Sequence, residues 1–329
     1  MAVKLILIIT AALLLGVVLT AVFTPYLAVY FVRWLFKKYP YTPPADYARY
    51  LENVTIQRGL DYGSAYANGT LDIIIPRNFT GGEAVIFAIH GGAYISDGGD
   101  TSFYYAMIAT EGFVTVNVNY AIAPEQGKYP IPVKQFEEAY TYIREHNDIY
   151  RLNLDKVFFS GDSAGGQIAG QFTAMQTNPD YMALMNTLSP VQFKRVVPAE
   201  TIRGVVMLCA IYDFLRLEPP PENTMKLPLK KLGQAYFNTS DINSRLIASA
   251  GLFDKITENF PRAFITDANS YSFDFEAKEM VSLLESKNIP VTSVFYEAGE
   301  VTLNHNYQFH TDTPEGTAVY KKLISFLKE

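Results

Sequence analysis

The chain has 329 residues, 49% of them apolar and 14% aromatic, which is ample for a large core and too much for a disordered chain. Its net charge of −6 and the lack of any basic run give no electrostatic reason to expect a nucleic-acid partner. A single cysteine, Cys209, excludes an internal disulfide framework, and its neighbours in VVMLCAIYD imply a buried thiol.

Residues 5–23, LILIITAALLLGVVLTAVF, are an uncharged run of 19, the length of a helix that crosses a hydrocarbon core. The rival is a cleaved signal peptide, whose apolar part is usually shorter and ends at a small-x-small site; none is obvious before Pro25. We read residues 1–38 as a retained single-pass membrane anchor with an interfacial segment. Tyr26, Tyr30 and Trp34 recur every four residues and share one helical face, as in the aromatic belt of a membrane surface. A helix packed on the domain would carry the same spacing. Lys4 and the amino terminus on one side, and Arg33, Lys37 and Lys38 on the other, leave the orientation open.

From residue 39 to 329 short apolar runs alternate with helical patterns, the form of a mostly parallel sheet covered by helices. Segments 71–76, 84–90, 113–119, 156–161, 204–210, 262–266 and 291–296 are β-branched or aromatic and nearly continuous in hydrophobicity, as strands covered on both faces are. Ala277, Val281 and Leu284 mark one buried helical stripe. Thr313 and Pro314 signal the start of a last helix, whose inner face is Val319, Leu323, Phe326 and Leu327. Two stretches, near 176–203 and 214–258, break the alternation and read as cap insertions.

KVFFSGDSAGGQIAGQF places a strand, a glycine-flanked serine and a helix in succession. In such a nucleophile elbow, Ser163 sits on a tight strand-to-helix turn that Gly161 and Gly165 make possible. The helix N-terminus then aims free N–H groups and its dipole at a reacting carbonyl. Upstream, AVIFAIHGGAYISDGG ends a strand in His90-Gly91-Gly92-Ala93-Tyr94, where glycine N–H groups can lean over the nucleophile and bind an oxyanion.

HGGAY, NYAIAPEQGKYPIPVKQ (119–135) and SGDSAGGQIA together resemble the hormone-sensitive-lipase-like branch of the α/β-hydrolase fold, a branch made up largely of carboxylesterases. The similarity runs in order over about residues 70–329. It implies Ser163 as nucleophile, Gly91, Gly92 and Ala164 as oxyanion donors, and His90 as a residue that holds the loop. Ala93 stands where the family has a third glycine, and Asn119 where it has an aspartate. A backbone donor needs no particular side chain.

The base must come from His90, His146, His305 or His310. In the fold's order of serine, acid, histidine it belongs in a loop after the last core strand. His305 fits that place, and LNHNYQF resembles the family's histidine loop; His310 is the second choice, and His146 reads as a solvated helix residue. The acid should follow the penultimate strand, in FITDANSYSFD. Family members carry Asp-Pro-Leu a few residues past that strand, a register that falls here on Ser270 or Tyr271. Asp267 is the preferred repair, with Asp274 and Asp213 as alternatives.

The sequence thus reads as a membrane-anchored serine hydrolase of carboxylic esters with short to medium acyl chains, using an acyl-enzyme and neither metal nor organic cofactor. Tyr94 and apolar cap residues should line the acyl pocket. The alternatives are an inactive small-molecule binder on the same fold, or a deacetylase or amidase with the same Ser–His machinery. The partners implied are a small-molecule ester and the membrane. Asn53, Asn68, Asn78 and Asn238 begin Asn-x-Ser/Thr tripeptides, acceptors for glycans in a secretory eukaryotic setting.

Overall fold

The computed structural model describes residues 2–217, 228–241, 243–297, 299 and 301–329. Residues 218–227 and 242, in the second insertion, lie outside the described residues. The chain enters through α1 (Ala2–Phe23), α2 (Tyr26–Lys38) and the short α3 (Tyr47–Leu51), then forms β1 (Val54–Asp61), β2 (Thr70–Pro76) and β3 (Ala84–Ile89). Next come α4 (Ser102–Thr110), β4 (Val114–Val118), α5 (Ile131–Glu145), the short α6 (Asn147–Tyr150) and β5 (Asn153–Asp162). The remainder is α7 (Ala164–Thr177), α8 (Pro179–Leu188), β6 (Ile202–Leu208), α9 (Leu229–Phe237), α10 (Arg245–Ala248), β7 (Ala263–Thr266), α11 (Asp274–Ser286), β8 (Val291–Val294) and α12 (Pro314–Lys328).

Among the described residues an eight-stranded sheet runs in the order β1-β2-β4-β3-β5-β6-β7-β8. The pairs β1–β2 and β2–β4 are antiparallel, and the pairs from β4–β3 to β7–β8 are parallel. Side chains alternate across each strand. Val85, Phe87 and Ile89 therefore face one helical layer with Phe159, Val205 and Ile265, while Ile86 and Ala88 face the other with Phe158, Val206 and Phe264. The first layer holds α5, α7, α8 and α11, the second α4 and α12. Both faces are covered, which is why the central strands read as nearly unbroken apolar runs.

Seven strands lie where the hydrophobic runs predict them. The strand at the β1 edge was not read from the sequence, because VTIQRGLD buries only Val54 and exposes Arg58, the pattern of a one-sided edge strand. In α11 the buried stripe is Ala277, Met280 and Leu284, with Val281 at its margin. At the start of α12 the Thr313 hydroxyl accepts the Gly316 N–H at 3.1 Å, and Val319, Leu323, Phe326 and Leu327 are buried as their spacing implies.

The two N-terminal helices differ in what they touch. α1 leaves Leu13, Leu15 and Phe23 exposed, and its Lys4–Phe23 portion is long and apolar enough to cross a membrane. α2 buries Val29 and Val32 completely against the domain. Arg33 locks it there, donating from Nε to Ile95 O at 2.5 Å and from Nη2 to Ala123 O at 2.9 Å, and pairing with both oxygens of Glu125. The part-buried bonds from the guanidinium to the two carbonyls are each worth about 1.5–3 kcal/mol, the exposed Glu125 pair about 1 kcal/mol or less.

Candidate active site

The turn from β5 to α7 places Ser163 at φ 51°, left-handed backbone that a side chain adopts only under constraint. Two contacts supply it. The Ser163 N–H donates to Leu208 O at 2.7 Å, tying the turn to the end of β6. A Cβ on Gly165 would stand 2.1 Å from Ile89 O, so only glycine lets α7 press this close to the end of β3. The hydroxyl is thereby lifted to the carboxyl edge of the sheet, at the N-terminus of α7.

The loop after β3 folds against that turn. Ala93 and Tyr94 adopt φ values of 52° and 63°, and a Cβ on Gly91 would lie 2.4 Å from an oxygen of Asp162. Sequence reasoning gave Gly91 an oxyanion-binding N–H, and here the structure differs. That N–H donates to Asp162 Oδ1 at 3.0 Å, because the aspartate beside the nucleophile is turned inward beneath the loop. Among the hydrogen bonds of the described residues, the N–H groups of Gly92, Ala93 and Ala164 have no protein acceptor. Gly92 and Ala93 border the cavity that holds Ser163. Tyr120 fixes the loop from the other side, donating its hydroxyl to the carbonyls of Gly91 and His90 at 3.0 and 3.1 Å. His90 stacks on the Tyr120 ring at 4.3 Å, and burial lowers its pKa.

His305 lies in the loop before α12 and borders the same cavity as Ser163. Its Nδ1 is 2.8 Å from the Ser272 hydroxyl, while Nε2 is shielded and has no protein partner. Burial pulls its pKa from the ordinary 6.5 down to about 3, favouring the neutral ring. His310, five residues on, is exposed. His146 bonds the Tyr142 carbonyl at the end of α5.

Asp267 follows β7 directly and is buried. Its Oδ1 accepts the Ala268 N–H at 2.8 Å and the Ser272 hydroxyl, while Oδ2 has no partner. Burial raises its pKa to about 7. Asp267 therefore meets the imidazole through Ser272, without a direct bond. The chain of contacts has one consistent polarity: Nδ1–H donates to Ser272 Oγ, and Ser272 O–H donates to Asp267. That tautomer leaves Nε2 as the acceptor.

The other two aspartates are engaged elsewhere. Asp274 opens α11 and pairs with Lys278 at 3.0 Å. Asp213 accepts the Leu215 N–H at 2.9 Å, its segment held by the buried Glu276 carboxylate, which accepts the N–H groups of Tyr212 and Asp213. Neither bonds His305. Cys209 is buried as its neighbours imply, and its location adds something the sequence did not show. Its sulfur stands within 4.8 Å of ligand atoms on Asp267 and His305. It accepts the Asn306 N–H and donates to Gln308 Oε1, both at 3.3 Å, so it packs the floor of the site.

Sequence reasoning passed over four contributors. Ser272 carries no carboxylate, so the acid motif does not point to it. Asn306, next to the histidine, donates to Asp162 Oδ2 and to the Tyr41 hydroxyl, each at 2.9 Å. Asp162 thus ties the loop after β3 to the histidine loop, and burial raises its pKa to about 7. Tyr41 comes from the N-terminal segment. With Phe36, Tyr39 and Pro40 it walls the cavity, about 50 Å³, that contains Ser163 and His305. Tyr94 does not border this cavity: it is buried, stacked on Tyr236 of α9 at 3.8 Å, and its hydroxyl donates to Gln167 Oε1. Among the described residues no side chain from 176–203 or 214–258 lines the cavity, and Phe36, Tyr39, Pro40 and Tyr41 contribute to its wall instead.

Comparison with known proteins agrees with this architecture. The BD-FAE family model matches residues 71–271. Esterase B from Lactobacillus rhamnosis, in a structure inhibited by a tributyrin phosphonate, superposes with a TM-score of 0.67 at 18% identity, covering 85% of this chain and 89% of that one. The Pyrobaculum calidifontis esterase gives a TM-score of 0.64 at 20% identity over 93% and 94% of the two chains. At those identities the likeness establishes the fold. An acetyl esterase of Salmonella schwarzengrund is 30% identical over 89 residues, 26% of this chain and 27% of that protein. The chain thus spans about a quarter of the length of the curated relatives it matches. The expected α/β-hydrolase architecture is the one found, and with the family model matching well over half of its length, the chain belongs to the BD-FAE family of α/β-hydrolase-type esterase domains.

Proposed function

We propose that the protein hydrolyses carboxylic esters through an acyl-enzyme on Ser163. The observation that carries this reading is one cavity in which a strained serine and a histidine with a free Nε2 face backbone N–H groups that have no other acceptor. Ser163 Oγ attacks the acyl carbon while its proton passes to His305 Nε2, and the carbonyl electron pair moves onto oxygen. Gly92, Ala93 and Ala164 donate to that oxyanion; Gly91, one position early, instead anchors the loop on Asp162. Collapse expels the alkoxide, which takes the proton from Nε2 and leaves as alcohol. Water then attacks the acyl carbon, gives a proton to Nε2 and releases the carboxylic acid as Ser163 recovers its hydrogen. No metal or organic cofactor takes part in these steps.

Asp267 acts on His305 through the Ser272 hydroxyl, orienting the ring and favouring the imidazolium formed in each half-reaction. The small cavity suits short acyl groups, in line with the acetyl esterases that the chain partly matches. α1 then serves as a single-pass anchor. A fluorophosphonate probe tests the reading: the protein should be labelled, and Ser163→Ala should abolish labelling and lower 4-nitrophenyl acetate turnover by about 10⁶-fold. An unlabelled wild-type protein would leave a small-molecule binder on the same fold.

A further inference from the structure

We propose that α2 lies in the membrane interface and opens the catalytic cavity toward the bilayer, so that the ester is a lipophilic molecule dissolved in the membrane. The proposal rests on the esterase reading and names the source of its substrate.

A helix on the surface of a water-soluble domain turns polar residues outward. α2 does not. Its inner stripe is Val29, Val32, Arg33 and Phe36. Its outer side exposes Tyr26 (45%), Tyr30 (55%), Phe31 (56%) and Trp34 (54%). Tyr26 stacks on Tyr30, and Phe31 lies 6.1 Å from Trp34. At the end of the helix the Lys38 ammonium sits over Trp34 at 5.1 Å and over Tyr39 at 5.3 Å. Amphipathic rings beside lysines are the composition of a helix at headgroup level.

Continuity says what covers this face. Only Thr24 and Pro25 separate α2 from α1, the helix long enough to span a bilayer. The joint is held to the domain: Lys231 of α9 donates to Val22 O at 2.6 Å and Gln234 to Phe23 O at 3.4 Å. The face of α2 therefore begins where a spanning α1 would leave the hydrocarbon. At the other end, Phe36 of α2, with Tyr39, Pro40 and Tyr41 just after it, lines the cavity that holds Ser163 and His305. Residues 26–41 thus carry the aromatic outer face on α2 and the cavity lining on Phe36 and the turn that follows. The cavity of about 50 Å³ is well below the roughly 300–1,000 Å³ of ordinary small-molecule sites, so the lipophilic part of a substrate must extend past this wall.

Trp34 is the only tryptophan in the chain, so its fluorescence reports the position of α2 without reference to activity. In full-length protein reconstituted into phosphatidylcholine vesicles, lipids brominated near the headgroup should quench it, and an unquenched Trp34 would overturn the proposal. The second arm compares 4-nitrophenyl acetate in water with hexadecyl acetate, a short acyl group on a lipophilic alcohol, dissolved in the vesicles, for wild type and for the triple variant Tyr30→Ser, Phe31→Ser, Trp34→Ser. The variant should lose about tenfold on the vesicle-held ester and stay within about twofold on the acetate. Equal rates of wild type and variant on the vesicle-held ester, or an equal loss on both substrates, would overturn it. Failure of the wild type to hydrolyse the acetate would count against the esterase reading, and the quenching result would still decide where α2 lies.

Discussion

The Ser272 hydroxyl stands 2.8 Å from Nδ1 of His305 and donates its own proton to Asp267, so a neutral group is interposed between imidazole and carboxylate. A hydroxyl can accept and donate at once, which is what this position requires. Ser272→Ala should lower kcat on 4-nitrophenyl acetate by about 10²-fold with little change in KM, since the ring loses the partner that fixes its tautomer. Ser272→Thr should recover much of that loss. An alanine variant with wild-type kcat would remove Ser272 from the mechanism.

Asp267 has its pKa raised to about 7 by burial, and His305 has its own lowered to about 3 by the same cause. The histidine is thus in its basic form across the neutral range, and the aspartate becomes ionised as pH rises through about 7. We expect kcat/KM to climb with a midpoint near 7, and Asp267→Asn to flatten that limb while lowering the plateau. Asp162, also raised to about 7, is the control. If the limb persists in Asp267→Asn and disappears in Asp162→Asn, the titrating group is the loop anchor.

Stability follows the same shifts with opposite signs. A carboxyl whose folded pKa is raised binds more protons folded than unfolded, so Asp267 and Asp162 favour the fold below about pH 4 and lose that contribution as pH rises to about 7. A histidine with a lowered folded pKa does the reverse: His305 contributes fully above about 6.5, and the contribution is lost as pH falls toward 3. Asp267→Asn should therefore gain most in melting temperature, relative to wild type, at pH 8. A gain that is larger at pH 4 would contradict the assigned burial effect.

Gly165→Ala should cost about 3 kcal/mol or more of folding stability, because its Cβ would meet Ile89 O at 2.1 Å and neither backbone can yield easily. Gly233→Ala, at a half-exposed position of α9 with open space around it, is the matching control and should be neutral or mildly stabilising. Chemical denaturation of the two variants separates them.

Arg33→Ala should free α2 from the loops after β3 and β4, since four hydrogen bonds to Ile95, Ala123 and Glu125 go with it. Faster amide exchange across residues 26–41 is the expected result, with exchange in β5 and β6 unchanged. Unchanged protection in α2 would show that Val29 and Val32 hold it alone.

The sheet was legible because covering both faces forces each central strand to be apolar throughout, and the serine turn because two steric requirements write glycine at fixed places around Ser163. The edge strand β1 was not legible, since a strand with one wet side resembles a loop at this length. Tyr94 read as pocket lining because it adjoins the HGG loop, yet its φ of 63° turns the ring under α9. The roles of Asn306, Asp162 and Tyr41 depend on loops far apart in the chain meeting at one point, and no local pattern announces such a meeting. Assigning residues 1–38 wholly to an anchor also concealed that Phe36 lines the cavity of Ser163, because a stripe of alternating aromatic and aliphatic residues suits a membrane and a cavity wall equally well.

The bonds from Lys231 and Gln234 to the final carbonyls of α1 have a mechanical consequence. A catalytic body on a loose leash would tumble and present its entrance in every direction. With α1 as the proposed anchor, a body stapled at both Val22 and Arg33 would not swivel on its stalk, and its reach would be confined to a fixed height above the plane in which it diffuses.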